Sequence, residues 1–327
     1  MMGKRWLAGL LFGVLLVAAA GCGAPAGTGD DTGDGAAQED AERAAAEEPA
    51  RVLAADDLSN LQLAAPDVPV YDTHTLAERQ AQGLAVTLPE LAPYREGKVA
   101  YLTFDDGPDD KNTPAVLDVL KEAGVKATFY VTGVQAKAHP EVLRRIYDEG
   151  HAIGNHSYDH RYEKLYPSVD GFFREMAQTD EIIYEILGVR PLILRAPGGR
   201  IGHFTAAYAP ALKAHGYVEH DWNVSSADAA PGHPVAQDFI DNITGETEGE
   251  ATAHTAIILM HSSEGHEETV KALPEIIRVL REKGLCVRRC DADDAAALVS
   301  CGSAAHDIRS AGISLPSGFS FSSGGFL

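Results

Sequence analysis

Val99-Ala100-Tyr101-Leu102-Thr103-Phe104-Asp105-Asp106-Gly107-Pro108 is a near-continuous apolar run that stops abruptly at two adjacent carboxylates, after which Gly-Pro turns the chain. A buried parallel strand reads this way when its carboxyl end opens into a site. Neighbouring residues of a strand point to opposite faces, so Asp105 and Asp106 need distinct partners or distinct roles. Carboxylates at the end of a buried strand are costly unless paired, so a cation is expected nearby.

Outward from this stretch, short apolar runs alternate with amphipathic helical patterns, which predicts an α/β fold with a parallel sheet or barrel. Strands are expected at 98–104, 126–131, 152–154, 191–194, 217–224, 256–260 and 285–289. Helices are expected at about 113–123, 140–149, 169–187, 204–215 and 267–283, with glycines at 124, 150, 188, 216 and 284 supplying their ends.

The unusual polar groups fall where these strands end: Asp105 and Asp106, His156 and His160, Arg195, Asp228, and His261. In barrel-type α/β folds such positions converge on one face, and that face carries the chemistry. His156-Ser157-Tyr158-Asp159-His160 spaces two imidazoles at i and i+4, which share one face of a helical turn and can chelate one ion. With 13 histidines in the chain, that spacing alone is weak. Joined to a strand-end carboxylate it offers two histidines and one carboxylate with an open position, as catalytic metal sites require. His151 reads as a strand-entry residue rather than a ligand.

Arg195-Ala196-Pro197-Gly198-Gly199 follows the apolar Leu192-Ile193-Leu194. Arginine can grip a carboxylate through two hydrogen bonds and hold it ionised. Pro197 fixes the turn, and Gly198 can bring a backbone N–H close to a developing oxyanion. Ala256-Ile257-Ile258-Leu259-Met260-His261 repeats the opening pattern, a buried run ended by one titratable group suited to proton delivery near neutral pH.

Taken in order, Thr103-Phe104-Asp105-Asp106, His156-Ser157-x-x-His160, Arg195-x-Pro197-Gly198 and Leu259-Met260-His261 resemble the motifs of the polysaccharide deacetylases. This is the NodB-homology group, carbohydrate esterase family 4, and the resemblance covers roughly residues 97–289. It implies a distorted, partly open (β/α)7-type barrel and removal of acetyl groups from N-acetylated sugars. Carried over by position, Asp105 is the general base, Asp106, His156 and His160 are the metal ligands, and Arg195 holds Asp105. Gly198, with Pro197, Trp222 and Leu259, falls among the substrate- and oxyanion-binding positions. His261 is the general acid, and Asp228 tunes it.

Zinc suits two histidines and an aspartate best, and Co2+, Ni2+ or Mn2+ would also bind. Three positions depart from the family pattern: Gly198, where many members carry an aromatic residue, Ala229, where many carry Trp, and Ser262, where many carry Asp. The first two thin the hydrophobic lining of the sugar groove. The Arg-Ala-Pro-Gly-Gly form and Thr269-Val270-Lys271-Ala272-Leu273-Pro274 resemble a bacterial subgroup associated with peptidoglycan N-acetylglucosamine. Acetylated cell-wall polysaccharide is therefore the expected partner. A xylan-type O-acetyl esterase and a non-catalytic wall-binding lipoprotein are the alternatives.

The rest of the 327 residues sets the context. Lys4 and Arg5 precede an apolar stretch, 6–20, that closes on Ala19-Ala20-Gly21-Cys22. Residues 1–21 read as a secretory signal, and Cys22 resembles a lipobox cysteine, which implies lipidation and an anchor on the outer face of a bacterial membrane. Residues 22–66 are rich in Gly, Ala, Asp, Glu and Thr and cannot offset their conformational entropy by burial, so a flexible acidic tether is expected. A coil of that length spans roughly 35–40 Å on average.

Residues 67–302 form the expected catalytic domain and 303–327 a Ser- and Gly-rich tail. The formal net charge of −21 argues against a nucleic-acid partner, which would draw on clustered Lys and Arg. A monomer is expected. Cys286 and Cys290 share a strand face but lie too far apart to bridge, so a Cys290–Cys301 disulfide is the preferred pairing.

Overall fold

A computed structural model describes residues 53–55, 58, 69–88 and 98–289. The signal, the tether with Cys22, Cys290, Cys301 and the tail lie outside them. The apolar run that ends at Asp105 is β3, Val99–Asp105, and all seven of its residues are buried. It is preceded by β1, Leu53–Ala55, and β2, Val70–Asp72, and followed by β4, Thr128–Val131, and β5, Ala152–Asn155. Then come β6, Arg190–Pro191, β7, Ile193–Leu194, β8, Val218–Glu219, and β9, Val224–Ser225. The series ends with β10, Thr255–His261, and β11, Cys286–Arg288.

The large sheet runs β8-β7-β5-β4-β3-β10-β9 with parallel pairings throughout, and β11 adds to the entry half of β3. It curls into an open half-barrel. A second sheet, β1-β2-β6, is smaller.

Helices α1, Leu76–Gln82, α2, Asn112–Ala123, α3, Gly133–Ala138, and α4, Pro140–Asp148, are followed by the single turn α5, Tyr162–Leu165. After it come α6, Val169–Leu187, α7, Tyr208–Ala214, α8, Ala236–Glu246, and α9, Glu267–Glu282. The main core lies between the sheet and α2, α4, α6, α8 and α9. It joins Leu102 and Phe104 of β3 to Leu117, Ile146, Ile183, Ile243 and Leu273. Alternate β3 side chains enter this layer, while Tyr101 and Val99 pack with Ile257 on the opposite face. Burial on both faces explains why β3 reads as an unbroken apolar run. None of the helices among the described residues is long and apolar enough to cross a membrane.

Three expectations are corrected. The strand expected over 217–224 is two short strands at opposite ends of the sheet order. Between them, the His220 and Asp221 carbonyls accept hydrogen bonds from Arg195 (2.9 and 3.2 Å), so this backbone serves a guanidinium instead of a ladder. The helix expected from 204 starts at Tyr208 because Pro210 fits a first turn but would collide with the carbonyl of residue 206 in a longer helix. His156 and His160 do not lie on a helical turn. Ser157 and His160 take left-handed backbone angles (φ 67° and 58°). Asn155 Oδ1 accepts from the Ser157 N–H and Ser157 Oγ from the His160 N–H (3.0 and 3.1 Å). These local bonds replace those of a helix.

A buried ion cluster ties the smaller sheet to α1. Asp72 receives Arg79 Nη2 at 2.6 Å on one oxygen and Arg190 Nη2 at 2.9 Å on the other, and all three side chains are buried.

Candidate active site

Parallel register sets the site. His261 of β10 is the Cα partner of Asp105 on β3, Asp105 is the partner of Tyr130 on β4, and Asn155 on β5 is the partner of Leu194 on β7. Asp106, His156 and Arg195 are each the residue after one of these strand ends, so they emerge on one rim. Asp228, three residues past β9, reaches the same rim.

Asp105 is buried, and its Oδ1 accepts from Arg195 Nη1 at 2.8 Å. That guanidinium is itself buried. It also donates to Thr103 Oγ1 (2.6 Å) and lies over the Tyr130 ring at 4.2 Å. Burial pushes the Asp105 carboxyl above the usual carboxylate range, and the Arg195 charge works against that rise. With Oδ1 held by Arg195, the other oxygen, Oδ2, lies 3.7 Å from His156 Nε2.

Asp106, His156 and His160 bring one donor atom each within 4.8 Å of the others. Asp106 Oδ1 stands 3.6 Å from His156 Nε2 and 3.8 Å from His160 Nε2. This oxygen is buried and, among the described residues, has no hydrogen-bond partner, which suits it to ligate a cation. His156 Nδ1 lies 2.8 Å from the Arg195 carbonyl, so Nδ1 carries the proton and Nε2 offers its lone pair. Burial pushes His156 down to about 3, keeping it neutral and ready to ligate. Asp106 (φ 69°), Ser157 and His160 are non-glycine residues with left-handed backbone, and strain of this kind collects at functional sites. The donor set therefore fits a divalent cation.

Asp228, His261 and His266 also come within 4.8 Å. Here His261 Nδ1 and Asp228 Oδ1 already face each other at 2.8 Å, and the two imidazoles lie stacked 4.9 Å apart. This group suits proton handling better than ligation. Asp228 Oδ2 accepts from the His261 backbone N–H and from Thr269 Oγ1, both at 2.8 Å. Burial opposes charge on His261, but the Asp228 hydrogen bond and the charges of Asp228, Asp105 and Asp106 outweigh it and raise the imidazole to about 9. Its Nε2 is 3.9 Å from Asp106 Oδ2 and so faces the metal-fitting group. A cleft of about 390 Å³ lies beside this group, lined by Asp106, Val134, Gln135, His160, Ser263 and Glu264 among others.

The sequence profile described as "Polysaccharide deacetylase" matches residues 93–220. A Bacillus cereus protein named peptidoglycan-N-acetylglucosamine deacetylase is 34% identical over 206 residues, which is 61% of this chain and 71% of the relative. The chain belongs to the polysaccharide deacetylase family. Among solved structures, a Bacillus cereus polysaccharide deacetylase superposes with a TM-score of 0.55 at 33% identity, covering 60% of this chain and 93% of that one. A Streptococcus mutans CE4 esterase gives 0.56 at 31% identity, covering 59% and 86%.

Of the remaining polysaccharide deacetylase positions singled out in the sequence, Pro197 is buried and its carbonyl accepts from Tyr166 Oη at 2.5 Å. Gly198 is exposed with φ 72°. Trp222 packs against Val99, Tyr101 and Ile257, with the Arg195 guanidinium 5.7 Å from its ring. Leu259 is half-buried in β10. His151 is fully buried, and its Nδ1 accepts from the Ala127 N–H at 3.1 Å, well away from the site. Cys286 is a free, exposed thiol.

Sequence reasoning missed Thr103, Thr269 and Tyr130, which contact Arg195 or Asp228. Thr103 and Thr269 lie within the sequence motifs of the site, and a hydroxyl in an otherwise apolar strand is the signal that singles out Thr103.

Proposed function

We propose that this chain is a metal-dependent N-deacetylase of cell-wall polysaccharide, acting on N-acetylglucosamine of peptidoglycan and releasing acetate. The observation that carries the reading is a division of labour at adjacent register positions. A carboxylate held by arginine and an imidazole held by aspartate each stand within 3.9 Å of a member of the group of three metal donors.

A divalent cation held by Asp106, His156 and His160, zinc being the best match to those donors, would polarise the acetamide carbonyl as a Lewis acid. Asp105, through Oδ2, takes a proton from the attacking water while Arg195 keeps Oδ1 fixed. The Gly198 N–H, on the loop that follows Arg195, would donate to the developing oxyanion. His261 then gives its Nε2 proton to the departing amine as the C–N bond breaks, and Asp228 stabilises and orients the imidazolium. Water supplies oxygen to the acyl carbon, so the products are acetate and a free amino sugar. A base and an acid whose environments push their pKa values apart are what such hydrolysis needs.

The Bacillus cereus relative's name supports the amino-sugar substrate. The leader ending at Cys22 supports export and a lipid anchor on the outer face of the membrane, with 22–66 as the tether. The test is acetate release by the full chain from peptidoglycan, N-acetylglucosamine oligomers and acetylated xylan, with and without chelator. Metal-dependent release from the amino-sugar substrates is expected. Release from xylan alone would overturn the substrate class, and no release with metal bound would overturn the enzyme.

A further inference from the structure

Gly198 leaves a place that another element fills. A Cβ built at this residue would lie 2.2 Å from Tyr162 Oη and 2.9 Å from its Cζ, so the tyrosine occupies the space of a side chain at 198. Tyr162 opens α5, two residues after His160, and its ring centroid is 5.6 Å from that of His160. The ring is held edge-on against Tyr166 (5.6 Å, 76°) and His203 (5.3 Å, 72°). Those two stack flat on each other at 4.1 Å, and Tyr166 is tied to the Pro197 carbonyl. Tyr162 is nevertheless 43% exposed. A large aromatic ring fixed by three neighbours yet open to solvent is able to take up a ligand at low entropic cost.

The geometry points to Tyr162 as the stacking platform of a pyranose subsite, holding the sugar whose acetamido group enters the metal-fitting group; this inference rests on the proposed deacetylase activity. Pyranoses present C–H faces that pack on aromatic rings and hydroxyls that need polar partners, and a tyrosine supplies both. Its closeness to His160 places the platform one ring away from the proposed reacting centre. With Tyr162 in this position the Arg195-to-Gly199 loop needs no aromatic residue of its own, and glycine at 198 is the residue that fits beneath the hydroxyl.

The test compares the full chain with Tyr162→Ala and Tyr162→Trp on N-acetylglucosamine pentamer and on 4-nitrophenyl acetate, with bound metal measured in each. Tyr162→Ala is expected to lose at least tenfold in kcat/KM on the pentamer, carried by KM, and at least fivefold less on the small ester. Tyr162→Trp is expected to restore the pentamer KM to within about threefold. Pentamer binding, measured by calorimetry in the non-turning Asp105→Asn background, is expected to weaken at least tenfold when Tyr162→Ala is added. Equal losses on both substrates, loss of metal, or unchanged pentamer binding would overturn the platform. A wild-type chain that binds pentamer through Tyr162 but releases no acetate would uphold the subsite and overturn the deacetylase reading instead.

Discussion

Asp105 and His261 are register partners on adjacent parallel strands, yet their polar neighbours point away from each other. Arg195 grips one from the β7 side of the sheet, and Asp228 grips the other from the β9 side. Arg195 is buried, the Asp228 side chain is 2% exposed, and each is hydrogen-bonded to more than its partner, which holds Asp105 and His261 in place. The order of strands in the sheet thereby keeps a carboxylate and an imidazole close without letting them neutralise each other.

Asp105→Asn tests the base. Asparagine keeps an acceptor for Arg195 but cannot take a proton, so metal content and fold are expected to hold while kcat falls by about 10²–10⁴. Turnover near the wild-type level, measured as acetate release by protein of confirmed metal content, would remove Asp105 from the proposed role.

Much of this was legible in the sequence because strands buried on both faces leave only their ends free to be polar. Asp105, Arg195 and His261 stand out against Ala100–Phe104, Leu192–Leu194 and Ala256–Met260, and parallel pairing then aligns those ends. The 217–224 segment misled because its alternation is that of a strand, whereas a buried guanidinium claims its carbonyls. The loop of His156 and His160 misled because its spacing matches a helix, whereas its backbone is set by the side chains of Asn155 and Ser157. Tyr162 was invisible as a partner of Gly198. Nothing in a linear reading relates a tyrosine in a one-turn helix to a glycine 36 positions on.

Asp106→Ala tests the metal-fitting group. It removes the oxygen that stands within 3.8 Å of both imidazoles. Bound zinc, measured by elemental analysis after dialysis, is expected to fall from stoichiometric to background. Chelation of the unmodified chain is expected to abolish acetate release, and added zinc to restore it. Retention of one zinc per chain by Asp106→Ala would place the ion elsewhere.

Asp72→Ala tests the scaffold apart from the chemistry. It removes the carboxylate that two buried guanidiniums share, while Arg190 keeps Asp180 at 3.6 Å and Arg79 keeps the Ala85 carbonyl. Losing one partner of such a cluster commonly costs about 3–5 kcal/mol, which for a domain of this size lowers Tm on the order of 10 °C. Thermal unfolding followed by circular dichroism reads this directly, and a Tm within about 2 °C of the wild type would show that the cluster contributes little.

The pH profile tests the acid. His261 must be protonated to donate, and its pKa of about 9 places loss of activity on the alkaline side, as pH rises through that value. A cation bound beside Asp106 repels the imidazolium, so in the metal-loaded enzyme this limb is expected at or below 9 rather than above it. Asp228→Asn removes the hydrogen-bonded charge that leads the upward shift, leaving only the Asp105 and Asp106 charges to oppose burial. The alkaline limb of kcat is expected to move down by about two pH units, with a loss of about tenfold at pH 8 and unchanged metal content. An alkaline limb that stays in place in Asp228→Asn would assign it to a group other than His261.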